Sequence, residues 1–190
     1  MPQPDHISAL PVPEAESLED DIKTVYRKCV EKFGFVPNVL RAYSFHPTKL
    51  RNFMAIYNEL MLGDSKLSKL EREMVAVVVS SANRCYYCLV AHGQAVRRLS
   101  GDPELGEMMA LNYRVAKLGP RQCAMLDFAW KLTVTPHAVE EPDRAALRQA
   151  GLDDAEIFDL ADVVAFFNLS NRMAFALDMM PNREYHRLDR

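Results

Sequence analysis

Between Leu67 and Val79 the chain reads Leu-Ser-Lys-Leu-Glu-Arg-Glu-Met-Val-Ala-Val-Val-Val, and no other segment restricts the fold as strongly. Ser68 and Glu71 stand at the spacing of a capping box, in which a hydroxyl and a carboxylate three residues later satisfy backbone donors that a helix start leaves open. The run Met74 to Val79 that follows is apolar on nearly every side, and a helix apolar all round belongs inside a core with other elements packed about it. Val75 to Val79 is also the best candidate for a strand, but its flanks are helical, and no convincing alternating run occurs elsewhere. The pattern predicts an all-α chain.

The remaining punctuation fits helices. Pro2, Pro4, Pro11 and Pro13 prevent a helix over residues 1–16, which read as an extended N-terminal arm, with residues 17–190 as a single helical domain. Ser17-Leu18-Glu19-Asp20 has the form of a capping box for a helix to about Phe33. Short helices are expected through Tyr43 and from Pro47 to Met61, the latter with Phe53, Ile56, Tyr57 and Leu60 on one face. A further helix is expected over Arg121 to Val134, then a loop punctuated by Pro136 and Pro142. Asp153 to Glu156 should cap a long last helix running to about Met179, ended by Pro181.

With 190 residues, 49% of them apolar, the chain can bury a core without disulfides or structural metal. A net charge of −3, from 23 basic and 26 acidic side chains, gives no electrostatic footprint for nucleic acid or an anionic membrane. No apolar run approaches the roughly 20 residues that span a bilayer, and the N-terminus lacks a signal-peptide pattern, so a soluble, cytoplasmic protein is expected. Four cysteines are too few for a disulfide framework. Cys29 and Cys123 stand alone in apolar-patterned helices and are expected to be small buried hydrophobes.

Cys85-Tyr-Tyr-Cys88-Leu-Val-Ala-His92 is different. On a helix these positions are i, i+3 and i+7, so two thiols and an imidazole share one stripe, with His92 one turn beyond Cys88. A free thiol near pKa 8.5 is mostly protonated at neutral pH, and only the thiolate attacks a peroxide or a disulfide. A break at Ser80 to Asn83 would put Cys85 in a first turn, where open amides favour an anion, while His92 could take a proton from Cys88. Glu73 lies in a largely apolar segment and could orient His92 and pass the proton onward. The blander readings are that Glu73 belongs to a polar first helical turn, that both thiols merely pack, or that the pair with His92 forms part of a non-enzymatic redox-sensing or zinc-holding module.

Glu73, Cys85-x-x-Cys88 and His92 at these spacings resemble the core motif of the AhpD-like alkylhydroperoxidase family, within the carboxymuconolactone decarboxylase superfamily. Gly34-Phe-Val-Pro-Asn38 and Phe167-Asn-Leu-Ser-Asn-Arg172 resemble its peroxidase-related branch. The resemblance implies an all-helical, homo-oligomeric fold without a cofactor or metal. It also implies a hydroperoxide substrate, with Cys88 attacking to give a sulfenic acid that Cys85 resolves to a disulfide, and Glu73 and His92 relaying the proton. The reductant it implies is a dithiol, lipoyl-bearing or thioredoxin-like. On the residues alone, the helix terminus favours Cys85 as the attacker and the imidazole favours Cys88; the imidazole is followed here. Decarboxylase or lactone chemistry would not call for paired thiols.

Characterised members can carry a second histidine where this chain has Tyr87, whose phenol is no base near neutral pH. Tyr87 is expected to wall the site or pack. Asn168, Asn171 and Arg172 form a polar patch on the last helix; they would either tie that helix to its neighbours or line the pocket and bind substrate.

Overall fold

A computed structural model describes residues 3–190 as nine α-helices joined by short turns, with no strand among the described residues. Helix α1 spans Asp20–Phe33, α2 Asn38–Tyr43, α3 Pro47–Leu62, α4 Lys69–Ala82 and α5 Tyr86–Ser100. Then come α6 (Pro103–Asn112), α7 (Pro120–Val134), α8 (Glu141–Gln149) and α9 (Asp154–Ala176).

Helix α4 is the axis. It opens with the Ser68–Glu71 capping box, and every residue from Glu71 to Ser80 is buried. Helices α5, α6, α7 and α9 surround it, packing Val96, Met109, Leu126, Ala129, Leu160, Val164 and Phe167 against its valines in one cluster. Full burial of such side chains contributes roughly 1.5–3 kcal/mol each, so this layer holds the molecule together. Its buried cation, Arg72, donates to the carbonyls of Leu60, Gly63 and Leu67 and so satisfies the end of α3.

Helices α1 to α3 form an outer layer with a small core of its own, Leu18, Ile22 and Leu50. A third cluster gathers Ala42, Cys85, Tyr87, Cys88, Ala174 and Met179 where α2, the start of α5 and the end of α9 meet. Residues 3–14 carry no helix. This segment lies along the tail: Ala9 N donates to Leu177 O at 2.8 Å and Met180 N to Ile7 O at 3.0 Å.

Several expectations are corrected. Ser17 caps no helix; its hydroxyl donates to Glu14 O, closing a short 3₁₀ turn, and α1 starts from Glu19 with Leu18 buried just before it. Pro142 lies in the first turn of α8 rather than in a loop, because a proline there forfeits no helical bond. Ile56 points outward while Phe53 and Tyr57 face the core. Helix α9 stops at Ala176, short of Met179. Cys29 is half-buried and Cys123 exposed, so neither is a core hydrophobe.

Candidate active site

Helix α4 ends at Ala82, and the chain reverses through Asn83 and Arg84, the latter in the left-handed region at φ 57°. Cys85 N then donates to Ser80 O at 2.8 Å, and Cys85 becomes the N-cap of α5 rather than part of its first turn. The turn is pinned to α9. Asn83 Nδ2 donates to Asn168 Oδ1 and Asn171 Oδ1, at 3.1 and 2.9 Å, and Asn171 Nδ2 donates to Ser80 Oγ at 3.1 Å. Asn168 Nδ2 reaches Thr133 Oγ1, and the Arg172 guanidinium donates to Asn168 O and Oδ1. The polar patch of α9 therefore fixes the turn that carries Cys85, and none of its three residues lines the cavity.

The two thiols are almost wholly buried, each 2% exposed, and pack in the same small cluster. The neighbouring Cys88 holds the Cys85 thiol below its ordinary pKa; burial opposes it, and the amides of Cys88 and Tyr87 with the nearby His92 ring assist. Cys85 in turn pushes the pKa of Cys88 well up, burial adding to the effect, although Asn171 and Ser170 oppose it. The environment thus favours charge on Cys85 over charge on Cys88. Of the two, Cys88 lines the cavity.

Glu73 and His92 meet across α4 and α5, with Oε2 2.7 Å from Nδ1 and only 10% and 13% of their side chains exposed. An ionised carboxylate can only accept, so Nδ1 donates to Glu73 and Nε2 is the ring nitrogen left free of it. Phe167 packs edge-on to the imidazole, ring centres 4.6 Å apart at 81°, which fixes its plane. Glu73 is thus a partner of His92 as well as a residue of the first turns of α4.

Cys88, His92, Glu73 and Tyr87 border a cavity of about 660 Å³, whose apolar walls come mainly from Val39, Leu40, Phe53, Met54, Phe166 and Phe167. The buried Tyr87 hydroxyl accepts from Val39 N at 2.9 Å, joining α5 to the start of α2, and burial drives its pKa upward. Sequence reasoning missed Asn83 and Ser170. Both are small polar residues whose importance comes only from the helices that fold against them. Among the described residues no group of three or more His, Cys, Asp or Glu side chains has metal-holding geometry, and no helix is long and apolar enough to cross a membrane.

Residues 47–126 match the model of the carboxymuconolactone decarboxylase family. A peroxidase-related protein from Silicibacter sp. TM1040 is 57% identical, with 100% of both chains covered and a TM-score of 0.96. A second, described as an alkylhydroperoxidase AhpD core and an uncharacterized peroxidase-related protein, from Ralstonia eutropha JMP134, is 44% identical over 98% of each chain, with a TM-score of 0.95. A debrominase solved with 2,3,4-tribromopyrrole shares the fold at 15% identity, over 95% of this chain and 94% of its own, with a TM-score of 0.79. No curated protein matches the chain.

Proposed function

The chain belongs to the carboxymuconolactone decarboxylase family, in its AhpD-like, peroxidase-related group, and from that premise we propose that it reduces hydroperoxides through a dithiol–disulfide cycle of Cys85 and Cys88. The observation that carries this reading is the asymmetric thiol pair. Cys88 lines a cavity that His92 and Glu73 also line, and Cys85 stands three positions before it at the cap of the same helix, in surroundings that favour its ionised form.

The cycle follows from that placement. A hydroperoxide in the cavity meets Cys88, whose proton can pass to the neighbouring Cys85 thiolate. The Cys88 sulfur then attacks the terminal oxygen, the O–O bond breaks, and the alkoxide leaves and takes a proton to become the alcohol. Cys88 becomes a sulfenic acid, oxidised by two electrons. Cys85 attacks this sulfur next and expels hydroxide, which is protonated to water, and the two cysteines are left as a disulfide. In this reading His92 Nε2 moves these protons, and Glu73, bonded to Nδ1, orients the ring.

A dithiol returns the pair to its starting state by thiol–disulfide exchange. The buried setting of Cys85 suits a reductant that inserts a slender arm, such as a lipoyl group, or a thioredoxin-like protein in a reducing compartment such as the cytoplasm. Homo-oligomers are part of the proposal, because Leu111, Phe158 and Val115 expose large apolar side chains that a partner copy would cover.

Alkylation and mass spectrometry after exposure to tert-butyl hydroperoxide test the cycle. Cys85 and Cys88 should be recovered joined to each other, and dithiol should restore both. Folded protein in which both stay alkylatable under excess oxidant would overturn it.

A further inference from the structure

The cavity is much larger than hydrogen peroxide needs and lies within the range of about 300–1,000 Å³ common for pockets that take small organic ligands. Its two ends differ. At the inner end stand Cys88, His92 and Glu73. At the other, Lys28 and Lys32 project from consecutive turns of α1 and Arg98 from the far end of α5, all three exposed and all three lining the cavity.

No ion pair or hydrogen bond engages the Lys28 ammonium or the Arg98 guanidinium among the described residues, and Lys32 reaches only the face of Phe33, 5.1 Å from its centre. The acids that line the same cavity are Glu73, paired with His92, and Asp189, which accepts from Gln94. The mouth therefore sets three cations against the one carboxylate of Asp189, a cationic balance, and the walls between it and the thiol are mainly aromatic and aliphatic.

Resting on the peroxidase reading above, we propose that the substrate is an amphipathic organic hydroperoxide: an apolar body bearing a carboxylate, with the anion held by Lys28, Lys32 and Arg98 and the peroxide delivered to Cys88. The spacing sets a length. Arg98 lies ten positions after Cys88 on α5, about 15 Å of helix rise between the two backbones; its side chain leans back toward the start of the helix, so anion and peroxide stand closer than that rise, at a separation an alkyl chain spans and hydrogen peroxide does not. Arg98 and Lys28 supply charge-assisted donors that an ester cannot use fully.

A long-chain fatty-acid hydroperoxide and its methyl ester, assayed side by side with dithiol, test the assignment. The acid should show kcat/KM about tenfold higher at low salt, a ratio of the size a few partly exposed charge contacts give, and the ratio should shrink as salt is raised. The triple variant Lys28→Gln, Lys32→Gln, Arg98→Gln should bring the ratio close to one.

Calorimetric titration with the corresponding saturated acid and its ester reads the same preference without any chemistry. It separates this inference from the reaction itself. If no hydroperoxide is turned over yet the acid binds better than the ester and the triple variant removes the difference, the ligand class stands and the peroxidase reading falls. Equal binding and equal kcat/KM for acid and ester, or a preference that survives in the triple variant, would overturn the inference.

Discussion

Cys85 caps the start of α5, and the neighbouring Cys88 holds its thiol below the ordinary pKa against the effect of burial. A thiol held below its ordinary pKa is ionised, and reactive, above that lowered value, and its alkylation slows as pH falls through it. Cys88, pushed the opposite way, should add a second step only at much higher pH. Cys88→Ala removes that thiol and should raise the Cys85 pKa, whereas Cys88→Ser keeps a donor and should leave it closer to the parent; absorbance of the thiolate across a pH series distinguishes them. Both variants should lose peroxide turnover. Glu73→Gln leaves an amide oxygen that can still accept from His92 Nδ1, so the fold should persist while turnover drops by roughly 10²-fold, the lower end of general acid–base contributions. Steady-state rates and a thermal melt on the same sample check this. If the melt collapses instead, Glu73 is chiefly a structural residue.

Between helices, short polar contacts decide the geometry. Arg84 holds a left-handed backbone between α4 and α5 that a side chain adopts at a cost and glycine does not. Arg84→Gly should therefore be neutral or stabilising by up to about 1 kcal/mol in urea unfolding, and Arg84→Val clearly destabilising. Arg121 spans two helix starts, donating to Glu71 of the Ser68 capping box at 3.0 Å and to Glu156 of the Asp153 capping box at 2.7 Å. Burial pushes the Glu156 carboxyl up, but the Asp153 amide and the Arg121 guanidinium pull it down further, to a net value below the usual 4.5. That stabilisation is complete above the usual value and is lost as pH falls through the lowered one. Arg121→Ala should cost roughly 1.5–3 kcal/mol near neutrality, with the gap to the parent narrowing in acid, as melts at several pH values would show. Both of those boxes were legible in the sequence because each helix start is a local event. Ser17 had the same pattern and failed, because its hydroxyl is spent on Glu14 O one turn earlier. The break at Asn83 was legible, but its part in pinning the turn was not, since its partners lie on α9, remote in the chain.

The cavity lies between the α1–α3 layer and the body built on α4, and its walls come from both. The motif residues Glu73, Cys85, Cys88 and His92 could be read as one site because α4 and α5 are adjacent in sequence and packing. The walls could not, because Val25, Lys28 and Met54 acquire their positions only when the outer layer docks. That layer has the smaller core, so it should open first: amides of α1 to α3 should exchange hydrogen at a lower free energy than those of α4. Leu50→Ala, at a fully buried position of that core, should widen this gap by roughly 2–5 kcal/mol, read by hydrogen exchange. At the other edge of the site, the amino-terminal segment is laced to Leu177 and Met180, while Leu177 and Met179 pack on the cluster that contains both sulfurs. Purification handles, fusion partners or proteolytic nicks near the first residues are therefore not remote from the cysteine pair. They act on its flooring, and the choice of which end to extend is a choice about how firmly the cysteines are seated.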